Sequence, residues 1–177
     1  MNEEIIMAGF GGQGIMMMGK LLSYAGMKED KEVSWMPSYG PEMRGGTANC
    51  TVIVSDKKIP SPMSSRPDTI IVMNLPSLDK FLPKVKSGGT VLLNSSLIEK
   101  DVEREDVKVI KVPANEIANE LGNAKVANMV MLGSYIEEKD VVKPDTVKKS
   151  LESVLSARNQ SLIDMNIKAL DRGKEYK

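Results

Sequence analysis

This sequence predicts an α/β fold: a three-layer α/β/α arrangement around a mostly parallel sheet, opening with a Rossmann-like βα unit. Three observations carry the prediction. The apolar run Ile5-Ile6-Met7-Ala8 meets the turn Gly9-Phe10-Gly11-Gly12-Gln13-Gly14, and Ile15, Met18, Leu22 and Ala25 then share one helical face; that is strand, glycine turn and helix in succession. Apolar runs at residues 69–73, 90–93 and 107–112 alternate with other segments, one of them a helix opened by Pro76, the order that builds a parallel sheet with helices on both faces. The last third of the chain carries helical patterns alone.

Composition narrows the function classes. A chain of 177 residues is expected to form one domain, residues 1–177. Its 24 basic and 24 acidic residues cancel, which removes the electrostatic argument for nucleic acid or an acidic membrane surface. One cysteine, Cys50, allows no internal disulfide and no cysteine cluster for zinc or iron–sulfur. Histidine is absent, and with it the commonest general base and metal ligand. No signal peptide and no apolar run of membrane-spanning length is visible, so a cytoplasmic location is expected.

The first turn matches G-x-G-x-x-G at Gly9, Gly11 and Gly14. In such a turn the first glycine bends the chain, the second admits close approach to the backbone, and the third lets helix and strand pack closely. The N–H groups at the helix start suit an anion. The turn is either a loop facing a ligand or another subunit, or a plain βα connection. A dinucleotide site also needs an acid at the end of the second strand. Here Glu32 stands at the beginning of residues 32–36, which disfavours NAD or FAD. Met16, Met17 and Met18 point in three successive directions around the helix. At least one therefore faces a second surface, in an interior helix or at a partner interface.

Residues 35–46 contain two prolines and three glycines, which forbid regular structure through most of the stretch. They also hold the only tryptophan, Trp35, with Tyr39, Glu42 and Arg44. Arg44 before Gly45 and Gly46 suits a backbone nest beside a fixed positive charge, made for phosphate or carboxylate. The alternative is a structural loop in which Arg44 pairs with Glu42. A strand follows, with Ala48, Cys50, Val52 and Val54 on its apolar face. Cys50 is expected to be a buried core thiol, and Thr47 and Asn49 to face the loop's site. Residues 59–62 cross in extended form between prolines.

Pro76 opens a helix with Leu78, Phe81, Leu82 and Val85 inward, stopped by Ser87-Gly88-Gly89. Residues 114–121 form a short helix. Residues 124–135 are almost wholly apolar, interrupted by Lys125 and Asn128; such a helix is buried all round and is expected to pack partly on the sheet and partly on a neighbour. Asn128 is either a satisfied buried amide or a specificity contact. Pro144 starts the final helical stretch, with Val147, Leu151 and Val154 on one face, and a second part presents Leu162, Met165 and Ala169.

Three motifs together bring a family into view: the turn from Gly9 to Ile15, the string Pro37-Ser38-Tyr39-Gly40-Pro41-Glu42-Met43-Arg44-Gly45-Gly46-Thr47-Ala48-Asn49-Cys50, and Ala127-Asn128-Met129-Val130-Met131-Leu132-Gly133. The chain closely resembles the gamma subunit of 2-oxoacid:ferredoxin oxidoreductases, the pyruvate and 2-oxoglutarate synthase group, over essentially its whole length. The resemblance implies a three-layer α/β/α domain in a complex that oxidatively decarboxylates a 2-oxoacid with coenzyme A, giving acyl-CoA, CO2 and reduced ferredoxin. It places thiamine diphosphate and the iron–sulfur clusters in partner subunits (alpha, beta and a ferredoxin-like delta). This chain is then not catalytic alone and holds no metal. The residues it marks as facing CoA are Gly9, Gly11, Gly12, Gln13, Gly14, Tyr39, Glu42, Arg44, Gly45 and Gly46. Trp35-Met36-Pro37 and Thr47-Ala48-Asn49-Cys50 look more like the 2-oxoglutarate members than the pyruvate ones; a pyruvate or branched-chain oxoacid is the alternative. Two readings of other classes compete: a self-sufficient nucleotide-binding oxidoreductase, disfavoured by the missing acid and histidine, and a free-standing CoA or nucleotide sensor.

Overall fold

The computed structural model describes residues 1–39, 47–155 and 157–177. In chain order these form β1 (Asn2–Phe10), α1 (Ile15–Lys28), β2 (Glu32–Tyr39), β3 (Thr47–Ser55), β4 (Thr69–Val72), α2 (Leu75–Phe81), β5 (Thr90–Asn94), β6 (Lys108–Val112), α3 (Ala114–Glu120), α4 (Ala127–Lys139), α5 (Pro144–Val154) and α6 (Ile163–Gly173). The strands make one sheet in the order β2-β3-β1-β4-β5-β6. β1, β4, β5 and β6 are parallel neighbours. β3 lies antiparallel between β1 and β2. The sheet is therefore mostly parallel with a hairpin on one flank, and β2 lies one strand away from β1 instead of pairing with it.

Burial follows from the strand patterns. In β1 every residue from Ile5 to Gly9 is buried, and β4 and β5 are buried throughout, as expected for parallel strands covered on both faces. Side chains alternate between two cores. On the first face Ile5, Met7, Cys50, Val52, Ile71 and Leu92 meet α1, α3, α4, α5 and α6. On the second face Ile6, Ala8, Ile70, Val72, Val91 and Leu93 meet Leu78 and Phe81 of α2. Helices lie on both faces, but among the described residues five sit on one and one on the other.

Several elements depart from the sequence-based expectation. β2 continues through Pro37 and Ser38 to Tyr39, where an irregular loop was expected from Trp35. Pro37 is tolerated because β2 is an edge strand, bonded to β3 on one side only. α2 ends at Phe81, and a single 3-10 turn, Leu82–Lys84, carries the chain to Val85, well before the Ser-Gly-Gly stop. The apolar helix α4 begins after a 3-10 turn at Ala124–Val126 and buries every residue from Ala127 to Ile136. Its cover comes from this chain's own sheet and helices, so the neighbour expected for it is not needed. α6 buries Ala169 as expected, but with Asn166, Leu170 and Gly173 beside it instead of Leu162 and Met165. The cause is close packing: a Cβ on Gly173 would strike the Val130 carbonyl, and one on Gly133 would strike the Leu170 carbonyl. The glycines therefore fix which stripe of α6 faces α4.

Candidate functional site

β1, β4 and β6 end at one rim of the sheet, and α1, α2 and α3 start there. From β1 the chain leaves through α1 toward β2; from neighbouring β4 it leaves through α2 toward β5. The connections diverge between these two strands, and the crevice at such a switch point is where open α/β sheets bind ligands. The glycine turn occupies it.

Inside the turn, Gln13 is a structural brace. Its Oε1 accepts from the Phe10 N–H at 2.6 Å, and its Nε2 donates to the Met73 carbonyl at 3.4 Å. The side chain thus ties β1 to the end of β4, and what the turn can offer outward is backbone. Gly12 is exposed, has φ +94° and has open space where a side chain would go. Gly14 begins α1 with φ +75°, and a Cβ there would strike the Asn128 side-chain amide. The close approach that the third glycine permits is therefore to α4, not to the strand. Asn128 Nδ2 donates to the Gly14 carbonyl at 3.2 Å and Oδ1 accepts from the Met129 N–H at 2.9 Å. Asn128 is a satisfied buried amide.

The loop carrying Glu42, Arg44, Gly45 and Gly46 lies outside the described residues, as does the Tyr39 side chain, but both roots of the loop are placed. Tyr39 stands opposite Ala48, Ala48 opposite Gly9, and Phe10 opposite Thr47. The loop therefore springs from beside the glycine turn. Thr47 and Asn49 lie on the second face of the sheet, opposite to Cys50 and α1.

On the first face a cleft of about 160 Å³ opens next to the turn, lined by Gly12, Gln13, Met73, Asn115, Ala124, Lys125 and Ala127. Lys125 is exposed. Asn115 accepts from Asn94 Nδ2 through Oδ1 at 2.7 Å, which leaves its own amide N–H groups available to the cleft. The sequence showed Lys125 only as a polar break in an apolar run, and nothing local marked Asn115. Behind the turn, Asn74 caps α2 by accepting the Ser77 N–H at 2.9 Å, while Asn74 Nδ2 and Ser77 Oγ are buried without a partner among the described residues.

Cys50 is buried under α1, with Sγ 3.7 Å from the Ile15 carbonyl. Burial pushes its thiol up to about 12, so it stays protonated and unreactive at neutral pH.

The family described as pyruvate ferredoxin/flavodoxin oxidoreductase matches residues 4–176. The chain belongs to this family. It is 34% identical over 178 residues to the 2-oxoglutarate synthase subunit KorC of Methanocaldococcus jannaschii, covering 99% of this chain and 94% of that one. It is 37% identical over 174 residues to the ketoisovalerate oxidoreductase subunit VorA of Methanothermobacter marburgensis, covering 98% of this chain but only 36% of that one. It thus spans about a third of the length of VorA. Among solved structures, the gamma subunit of the keto/oxoacid ferredoxin oxidoreductase from Geobacter sulfurreducens superposes with TM-score 0.87 at 27% identity, covering 99% of this chain and 95% of that one. The 2-oxoglutarate:ferredoxin oxidoreductase from Magnetococcus marinus, solved with 2-oxoglutarate, coenzyme A and succinyl-CoA bound, gives 0.89 at 25% identity, covering 98% of this chain and 30% of that one. Within the pyruvate ferredoxin/flavodoxin oxidoreductase family the chain is thus similar to the gamma-subunit type. Among its described residues no helix is long and apolar enough to cross a membrane.

Proposed function

We propose that this chain is the gamma subunit of a 2-oxoacid:ferredoxin oxidoreductase acting on 2-oxoglutarate, and that the rim around the glycine turn is its CoA-facing surface. The observation that carries the reading is the coincidence, at the β1–β4 switch point, of the exposed Gly12 backbone, the roots of the Arg44 loop and the Lys125 cleft. CoA carries phosphates that backbone N–H groups, a lysine and an arginine all suit. Within the chain, Gly12, Asn115 and Lys125 would orient the nucleotide end, while Gln13 and Asn128 hold the turn's shape. The sole cysteine is locked in the core, so iron–sulfur chemistry, like thiamine diphosphate, falls to partner subunits, with ferredoxin as electron acceptor. KorC, a near-full-length relative, supports 2-oxoglutarate; the higher identity to VorA makes ketoisovalerate the second reading.

The test is kinetic. The complex is purified anaerobically and assayed with 2-oxoglutarate, pyruvate and ketoisovalerate; turnover of 2-oxoglutarate at the highest kcat/KM is expected, and preference for either other acid overturns the substrate assignment. Lys125→Gln and Arg44→Ala should each raise the KM for CoA roughly tenfold, the size of one charge-assisted hydrogen bond, with the KM for the oxoacid unchanged. Unchanged CoA dependence in both removes the CoA-facing role.

A further inference from the structure

At the opposite rim from the glycine turn, the chain between β3 and β4 crosses the second face of the sheet as an irregular arm containing Pro60 and Pro62. Ser64 Oγ donates to Glu4 Oε2 at 2.6 Å and the Lys57 N–H donates to Ser55 Oγ at 3.1 Å, pinning the arm to β1 and β3. Between arm and sheet runs a groove of about 460 Å³. Ile53 and Ser55 form its floor, Ile59, Pro60 and Met63 its wall, and Lys57 and Lys58 its rim. The floor is a flank of the sheet that no helix covers among the described residues, since α2 packs on β1, β4 and β5.

Three features say what fits there. Met63 is 70% exposed, a large apolar side chain that gains by being covered. Lys57 and Lys58 are exposed and make no ion pair among the described residues, whereas the N-terminus and Lys31 close by share Asp56. The acid that lines the groove, Glu4, is already engaged by Ser64 and lies 3.8 Å from Lys86. The groove thus offers the exposed Met63 among mixed polar and apolar neighbours and is uncompensated positive at its edge, in a chain whose total charge is zero.

We propose that this groove docks an extended segment of another subunit of the complex, with an apolar residue against Met63 and carboxylates against Lys57 and Lys58. This rests on the chain working within a complex. Charge complementarity of this kind sets orientation and rejects wrong partners, and the arm offers both the apolar anchor and the charges.

The experiment uses the assembled complex. Lys57→Glu with Lys58→Glu is compared with wild type and with a control reversal, Lys80→Glu with Lys84→Glu on the α2 side. Retention of partner subunits is followed on a salt gradient, and a photo-crosslinking amino acid in place of Met63 maps the neighbour. Expected are ~10-fold or greater loss of retention for the arm variant only, and a crosslink to a carboxylate-rich segment of another subunit. Retention equal to wild type, or a crosslink to a second copy of this chain, overturns the proposal while leaving complex membership intact. Recovery of the wild-type chain without partners would sink both. Lys57→Gln with Lys58→Gln, gentler on folding, must show a smaller loss in the same direction.

Discussion

One methyl group separates the roles of Gly12 and Gly14. Both have positive φ, so an L side chain at either position costs about 1–2 kcal/mol of backbone strain. At Gly12 the methyl would enter open space; at Gly14 it would meet the Asn128 amide and cost about 1–3 kcal/mol more for displacing a packed group. Chemical denaturation should therefore find Gly14→Ala clearly less stable than Gly12→Ala. Equal losses would mean that the Asn128 contact carries no weight. The G-x-G-x-x-G spacing made the turn legible from sequence. It could not reveal what Gly14 packs against, because the partner lies 114 residues away. Gln13 shows a related limit: its spacing marked it as part of the turn, but only the nearby Met73 carbonyl shows that its side-chain amide holds two strands together.

At the scale of elements, the crossing of α4 and α6 is the tightest joint in the molecule that the glycines define. Gly133 faces the Leu170 carbonyl and Gly173 faces the Val130 carbonyl, so backbone meets backbone, and neither side can yield by changing a rotamer. Gly133→Ala should lower unfolding free energy by at least about 3 kcal/mol, measured by thermal or urea unfolding, and Gly173→Ala by a similar amount. A loss below 1 kcal/mol, the ordinary propensity gain of alanine aside, would show that α6 simply slides. Strands and helices were legible where hydrophobic period and end signals agreed: Pro144 and the Val147–Leu151–Val154 stripe mark α5, and all three residues are buried. They were not legible where tertiary context overrode the local signal. Pro37 read as the end of a strand and sits inside one. The buried stripe of α6 is chosen by two glycines and a helix elsewhere in the chain.

For the whole molecule, the unequal layers are the main finding. The first-face core gathers five helices over the sheet, with Met18 fully buried and Met16 and Met17 half-buried against the same cluster. The sequence suggested that the apolar helix of residues 124–135 would pack partly on a neighbour and so be partly bare when the chain is alone. Instead α4 is sheathed within the chain. The chain expressed without partners should unfold in one cooperative transition and bind little of a hydrophobic dye in its native state; strong dye binding with a gradual melt would restore the first expectation.

A domain whose deepest helix is closed in by its own neighbours has a genetic consequence. It can be joined end to end with a partner, or separated from it, without rebuilding a core. Family members in which this region is nearly the whole polypeptide, and others in which it is about a third of one, can then carry the same module, and the fold superposes in both settings.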